Sequence, residues 1–171
     1  MDVWKGLGQL NKKWYCLESN LEGGNRKMKI EEKKVLTAPC GLDCFNCELY
    51  DSNLTDEFAT LIHQKYGVPK EAIPCRGCRI QNGEHYHIPD GCATLDCVKE
   101  KGVDLCSDCV DFPCQLLGPI ADGASIYPHN MKVYNLCRIK TGGIENWIHE
   151  AGQIRQKYFK GKFIVGKGQS D

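Results

Sequence analysis

The chain has 171 residues, and its 22 Lys+Arg balance 22 Asp+Glu to give no formal net charge. That length holds one modest domain plus an extension. The missing basic excess argues against a phosphate-gripping nucleic-acid binder or a polybasic membrane patch. No stretch approaches the roughly 20 apolar residues that cross a bilayer, and Met1 to Ile30 carry no apolar signal region. The expectation is a cytoplasmic protein whose thiols stay reduced.

Residues 1–34 read as an N-terminal extension or interaction arm. Trp4, Trp14, Tyr15 and Leu17 could dock on a partner or on the chain's own core, and the stretch from Glu22 to Arg26 interrupts regular structure. Arg26 to Lys29 and Glu31 to Lys34 mix both signs, as a solvated face does. Residues 35–118 read as a cysteine-rich metal-binding domain. In it, Val35 to Pro39 form a short extended run leading to Cys40. A helix then starts at Thr55, which caps it, with Asp56 and Glu57 at its positive end. Phe58, Leu61, Ile62 and Tyr66 form its apolar stripe and Gly67 closes it, leaving His63 off the stripe.

A second helix is predicted from Ala93 to Lys101, closed by Gly102. A third begins at Asp111, with Pro113 in its first turn, and runs to Gly118. Residues 119–171 read as a C-terminal helical segment packing on the core. After Gly142-Gly143, the side chains of Ile144, Trp147, Ile148, Ala151, Arg155 and Tyr158 share one helical face. No solenoid-type repeat and no low-complexity tract is present.

The chain has 12 cysteines. Without an export signal, and with close Cys-x-x-Cys pairs, metal ligation explains them better than a disulfide framework. A structural zinc site needs four soft ligands in a tetrahedron, and two residues of spacing let both sulfurs of a Cys-x-x-Cys turn face one ion. Three such turns are present: Cys44/Cys47, Cys75/Cys78 and Cys106/Cys109. The simplest pairing joins Cys44 and Cys47 to Cys75 and Cys78 as one site, and Cys92 and Cys97 to Cys106 and Cys109 as a second. On a continuous helix Cys92 and Cys97 would lie about 140° apart, so both reach one ion only if Cys92 precedes the helix. Cys40 and Cys114 are left over.

Cys40-x-x-x-Cys44-x-x-Cys47 also suits three ligands of a [4Fe–4S] cluster, so an iron–sulfur protein in electron transfer or redox sensing is the alternative. The barrel of a radical-SAM enzyme does not fit so short a chain. Either metal draws its ligands from the same ten residues: Cys40, Cys44, Cys47, Cys75, Cys78, Cys92, Cys97, Cys106, Cys109 and Cys114. His85 or His87 could complete a Cys3His shell, though a solvated loop is the plainer reading. Cys16 lies outside the cluster, and Cys137 reads as a small core residue. Asp43, Asp96, Asp108 and Asp111 sit near cysteines in supporting or capping roles. No phosphate loop, nucleophile elbow or His-Glu-x-x-His motif appears, so catalysis is not the expectation. A spare Cys40 or Cys114 thiolate acting as a nucleophile is a third reading.

The linked motifs Cys40-Gly-Leu-Asp-Cys44-Phe-Asn-Cys47, Cys75-Arg-Gly-Cys78, Cys92, Cys97 and Cys106-Ser-Asp-Cys109-Val-Asp-Phe-Pro-Cys114 resemble a cysteine-rich bacterial and archaeal family known only as domain of unknown function 3795. The likeness covers about residues 36–117. It implies a presumed zinc-binding module without an established reaction, with the ten cysteines as its pattern. This chain departs at Pro89, where many relatives carry a further cysteine, which leaves the second site's composition open.

The expectation is therefore a small, irregular α+β domain. A metal-stapled cysteine-knuckle core would carry several short helices and a longer C-terminal helix. One or two zinc ions, and another protein as partner, complete this reading; no nucleic acid or membrane is expected.

Overall fold

A computed structural model describes residues 28–88, 90–118, 131–166 and 168–170. Of the extension or arm expected over residues 1–34, residues 1–27, with Trp4, Trp14, Tyr15, Cys16 and Leu17, lie outside the described residues.

Five α-helices are present: α1 (Ile30–Val35), α2 (Asp56–Tyr66), α3 (Ala93–Glu100), α4 (Met131–Gly142) and α5 (Ile144–Lys160). Strands among the described residues are limited to β1 (Lys162–Ile164) and β2 (Gly168–Ser170), an antiparallel pair in which Phe163 faces Gln169. The α+β expectation therefore reduces to a mainly helical chain with one terminal hairpin. Segments of helical apolar periodicity make helices here, while the cysteine turns between them are too short and too interrupted by Gly and Pro to pair as strands.

Helix α2 forms where predicted. The Thr55 side chain accepts from the Phe58 amide at 3.2 Å, and Gly67 ends the helix in the left-handed region at φ 67°. Helix α3 is also as predicted, and Cys92 stands just before it as the cap residue. The run from Val35 to Pro39 is not extended as expected. Val35 is the last residue of α1 and Leu36 keeps helical dihedrals, because Glu31 and Glu32 suit the first turn of that helix and Lys33 and Lys34 the last. Lys34 then ties α1 to α5 through Glu145 at 2.7 Å. The third predicted helix is a single 3-10 turn, Gln115–Leu117, with Pro113 outside it behind a cis bond to Phe112.

Helices α4 and α5 are separated only by Gly143 and pack against each other. Trp147, Ile148 and Ala151 of α5 and Leu136 and Ile139 of α4 are buried with Leu36, Phe45, Leu95, Val98, Leu105 and Leu117. A smaller core joins Ala59 and Ile62 of α2 to Ile73, with Tyr66 and Tyr86 packed against it. Cys137 is exposed rather than a core residue, because the neighbouring Leu136 takes the inward position on α4.

The C-terminal pair approaches the first cysteine turn closely at Gly41. That residue has φ +87°, and an added Cβ would meet the Lys132 carbonyl oxygen at 2.8 Å and Leu136 Cγ at 2.9 Å. Asn135 Nδ2 donates to the Gly41 carbonyl at 2.7 Å. Gly41→Ala should therefore cost about 1–3 kcal/mol through overlap with rigid backbone. A denaturant midpoint equal to that of the parent chain would contradict this account of the contact.

Candidate metal centre

The cysteine turns share one local design. In Cys44–Asn46 and in Cys106–Asp108 the chain makes a 3-10 turn. The Cys47 amide donates to the Cys44 carbonyl at 3.0 Å, and the Cys109 amide to the Cys106 carbonyl at 3.2 Å. Short polar side chains support both turns. Asn46 donates to Asp43 at 3.0 Å, and Asp108 accepts the Leu105 amide at 3.1 Å. The second turn is tied to the residue before Cys40 by the Cys106 amide, which donates to the Pro39 carbonyl at 2.9 Å.

Backbone amides two residues on point back at the sulfurs. Gly77 donates to Cys75 Sγ and Asp111 to Cys109 Sγ, each at 3.4 Å. The Leu42 and Leu49 backbones act in the same way on Cys40 and Cys47. A neutral thiol is a weak acceptor, whereas a thiolate gains from such donors. Four sulfurs are thus prepared to carry negative charge, as metal ligation requires.

Without a cation, burial opposes that charge. It pushes the Cys40, Cys47 and Cys75 thiols up and takes Cys106 to about 12. Cys44 and Cys78 share a hydrogen bond that holds Cys44 high and brings Cys78 down to about 7, with the Arg79 charge assisting.

The thiols also influence one another electrostatically. Cys40 feels Cys78 and Cys92, and Cys44 feels Cys78, Cys40 and Cys47. Cys47 feels Cys75. Cys106 feels Cys40, Cys114, Cys97 and Cys109. All ten predicted cysteines fall in this one network. The gathering differs from the simple pairing: Cys97, Cys106, Cys109 and Cys114 border a common cavity of about 20 Å3, to which Cys92 does not contribute. Cys92 is the cap residue before α3, as sharing an ion with Cys97 would require, and Cys97 sits more than one turn into the helix.

Among the described residues, no three His, Cys, Asp or Glu side chains converge in metal-binding geometry. The donor set and its amide support fit a thiolate-bound metal; the sulfurs are gathered, not closed into a shell.

Four cationic or amide side chains that motif reading passed over hold these turns in place. Arg79, next to Cys78, donates to the Thr37 carbonyl at 2.9 Å and pairs with Asp104 at 2.9 Å, joining three segments. Lys140 of α4 donates to the Ser107 carbonyl at 3.1 Å, inside the second turn. Asn135 holds Gly41, beside Cys40. Arg155 of α5 pairs with Asp43 at 3.1 Å and Glu48 at 2.5 Å, one on each side of the Cys44/Cys47 turn.

Asp43 is only 2% exposed. Removing its cation strands a buried charge, so Arg155→Met should cost about 3–5 kcal/mol. Asp43→Asn in the same chain should recover part of that loss in thermal unfolding. Equal stability of parent and Arg155→Met would remove the clamp from the account.

The fold and the gathered thiols define a mainly helical, cysteine-rich protein with linked Cys-x-x-Cys turns. Residues 36–119 match the family model described as "Protein of unknown function (DUF3795)", and this segment belongs to that family. No curated protein and no solved structure matches the chain significantly. Helices α4 and α5, which supply Asn135, Lys140 and Arg155, lie beyond the matched segment.

Proposed function

We propose that this is a metal-binding protein in which the cysteine cluster holds one or two structural zinc ions, and that it serves as a non-catalytic module contacting another protein. The observation that carries this reading is the set of backbone amides aimed at Cys40, Cys47, Cys75 and Cys109. Such donors favour thiolates, and thiolates buried without a cation are costly. Cys97, Cys106, Cys109 and Cys114 would hold one ion. Cys40, Cys44, Cys78 and Cys92 are the best-placed set for a second, with Cys47 and Cys75 beside them.

The bound zinc would supply a closed tetrahedral cross-link and no reactive position. The cavity bordered by Cys97, Cys106, Cys109 and Cys114, about 20 Å3, has room for a single ion or water. Val110 is 97% exposed and Leu116 45%, both beside that set, and they support a protein partner there. No helix among the described residues is long and apolar enough to cross a membrane. A reducing, cytoplasmic setting suits unpaired thiols.

Oxygen-free purification, with a visible spectrum and elemental analysis, tests the reading. A colourless protein carrying one or two zinc ions per chain is expected. A brown protein with stoichiometric iron would replace it with the [4Fe–4S] alternative.

A further inference from the structure

The turn after Glu84 brings two imidazoles together edge to face, with ring centroids 4.4 Å apart. His85 Nε2 lies 3.1 Å from the Ile73 carbonyl, and Ile73 is fully buried. A carbonyl only accepts, so His85 carries its proton on Nε2 and turns the bare Nδ1 lone pair outward. That Nδ1 meets Nδ1 of His87 in a hydrogen-bonding contact. The turn is closed by the Ile88 amide donating to the His85 carbonyl at 2.7 Å. Tyr86 packs against both rings, with centroids 4.5 and 5.4 Å away.

A histidine whose far nitrogen is pinned by a rigid carbonyl is the arrangement metal-ligating imidazoles use. We propose that His85 and His87 form a two-imidazole site for a borderline divalent cation of the zinc class, separate from the thiolate cluster. The proposal does not rest on the thiolate reading.

Packing around the pair lowers the pKa of both rings, in His87 with the neighbouring His85 adding to the effect. His87 retains exposed surface, which gives an ion access and leaves positions for water ligands. In the metal-free pair the bridging proton sits on His87 Nδ1. When an ion takes both Nδ1 lone pairs, that proton leaves Nδ1 and His87 is reprotonated at Nε2, with no net release. The two nitrogens then part to about 3.3 Å, the span of two ligands at about 2.0–2.1 Å on a tetrahedral ion.

The test uses the full chain, reduced and already saturated at its tighter sites, dialysed against added zinc. Bound zinc is counted for the parent, His85→Gln and His87→Gln, and long-range proton–nitrogen spectra follow each imidazole. The parent is expected to hold one more zinc ion than either variant. Its His85 and His87 Nδ1 signals should shift on zinc addition, while those of His63 and His149 stay. Cysteine Cβ shifts should be the same in all three proteins, which also checks that the variants fold. Equal zinc counts with unmoved Nδ1 signals would overturn the proposal. So would a lost ion accompanied by changed cysteine shifts, because that would place the histidines in the thiolate shell.

Discussion

Stripping the metal from the reduced protein with a strong chelator is expected to abolish cooperative folding of the cysteine-rich segment. A domain of this size is stable by about 5–15 kcal/mol. One structural zinc contributes roughly 10–16 kcal/mol of apparent binding energy. The segment has little to put in its place. Between Cys40 and Cys114 the large buried apolar side chains of the main core are Phe45, Leu95, Val98 and Leu105, and α3 has 8 residues. Its turns are short 3-10 segments, and burial disfavours charge on thiols such as Cys106. Near-ultraviolet circular dichroism and thermal melting should therefore show loss of fixed packing and of a sharp transition, with return on adding zinc. A chelated, reduced protein that still melts cooperatively would show that the apolar core suffices.

Trp147→Ala should be the most damaging single substitution in the helical part, costing about 3–5 kcal/mol. Trp147 is 1% exposed and meets Phe45 edge to face at a centroid distance of 5.8 Å, so it joins α5 directly to the Cys44/Cys47 turn. Its Nε1 has no hydrogen-bond partner among the described residues. Trp147→Phe should accordingly cost much less, since it keeps most of the buried area and removes an unpaired donor. Urea midpoints of the two variants with metal bound provide the comparison. Equal losses from Ala and Phe would mean that volume at this site matters less than the indole itself.

Local signals account for what was legible in the sequence. Thr55 and Gly67 mark the ends of α2 because a hydroxyl cap and a left-handed glycine act within one turn of chain. The stripe on α5 was visible because three of its members, Trp147, Ile148 and Ala151, recur at helical spacing and are all buried. Arg155 was placed on the same face, but its partner Asp43, 112 positions away, is a tertiary fact that spacing does not show.

Spacing failed where two short-range rules competed. Asp111 with Pro113 looked like a helix start, yet the chain turns there and makes only Gln115–Leu117 as 3-10. The grouping of sulfurs was not readable either. Spacing left open whether Cys92 and Cys97 share an ion, because that depends on where α3 starts, and Cys92 stands just before it. Cys137 looked inward because its neighbour Leu136 is apolar, but only one of two adjacent helix positions can face the core.

Zinc K-edge X-ray absorption on the protein as isolated tests the central claim most directly. The account predicts a full complement of sulfur neighbours at about 2.3 Å around each tightly bound ion. A first shell of nitrogen and oxygen alone, or an absorber that is iron with bridging sulfide, would contradict it.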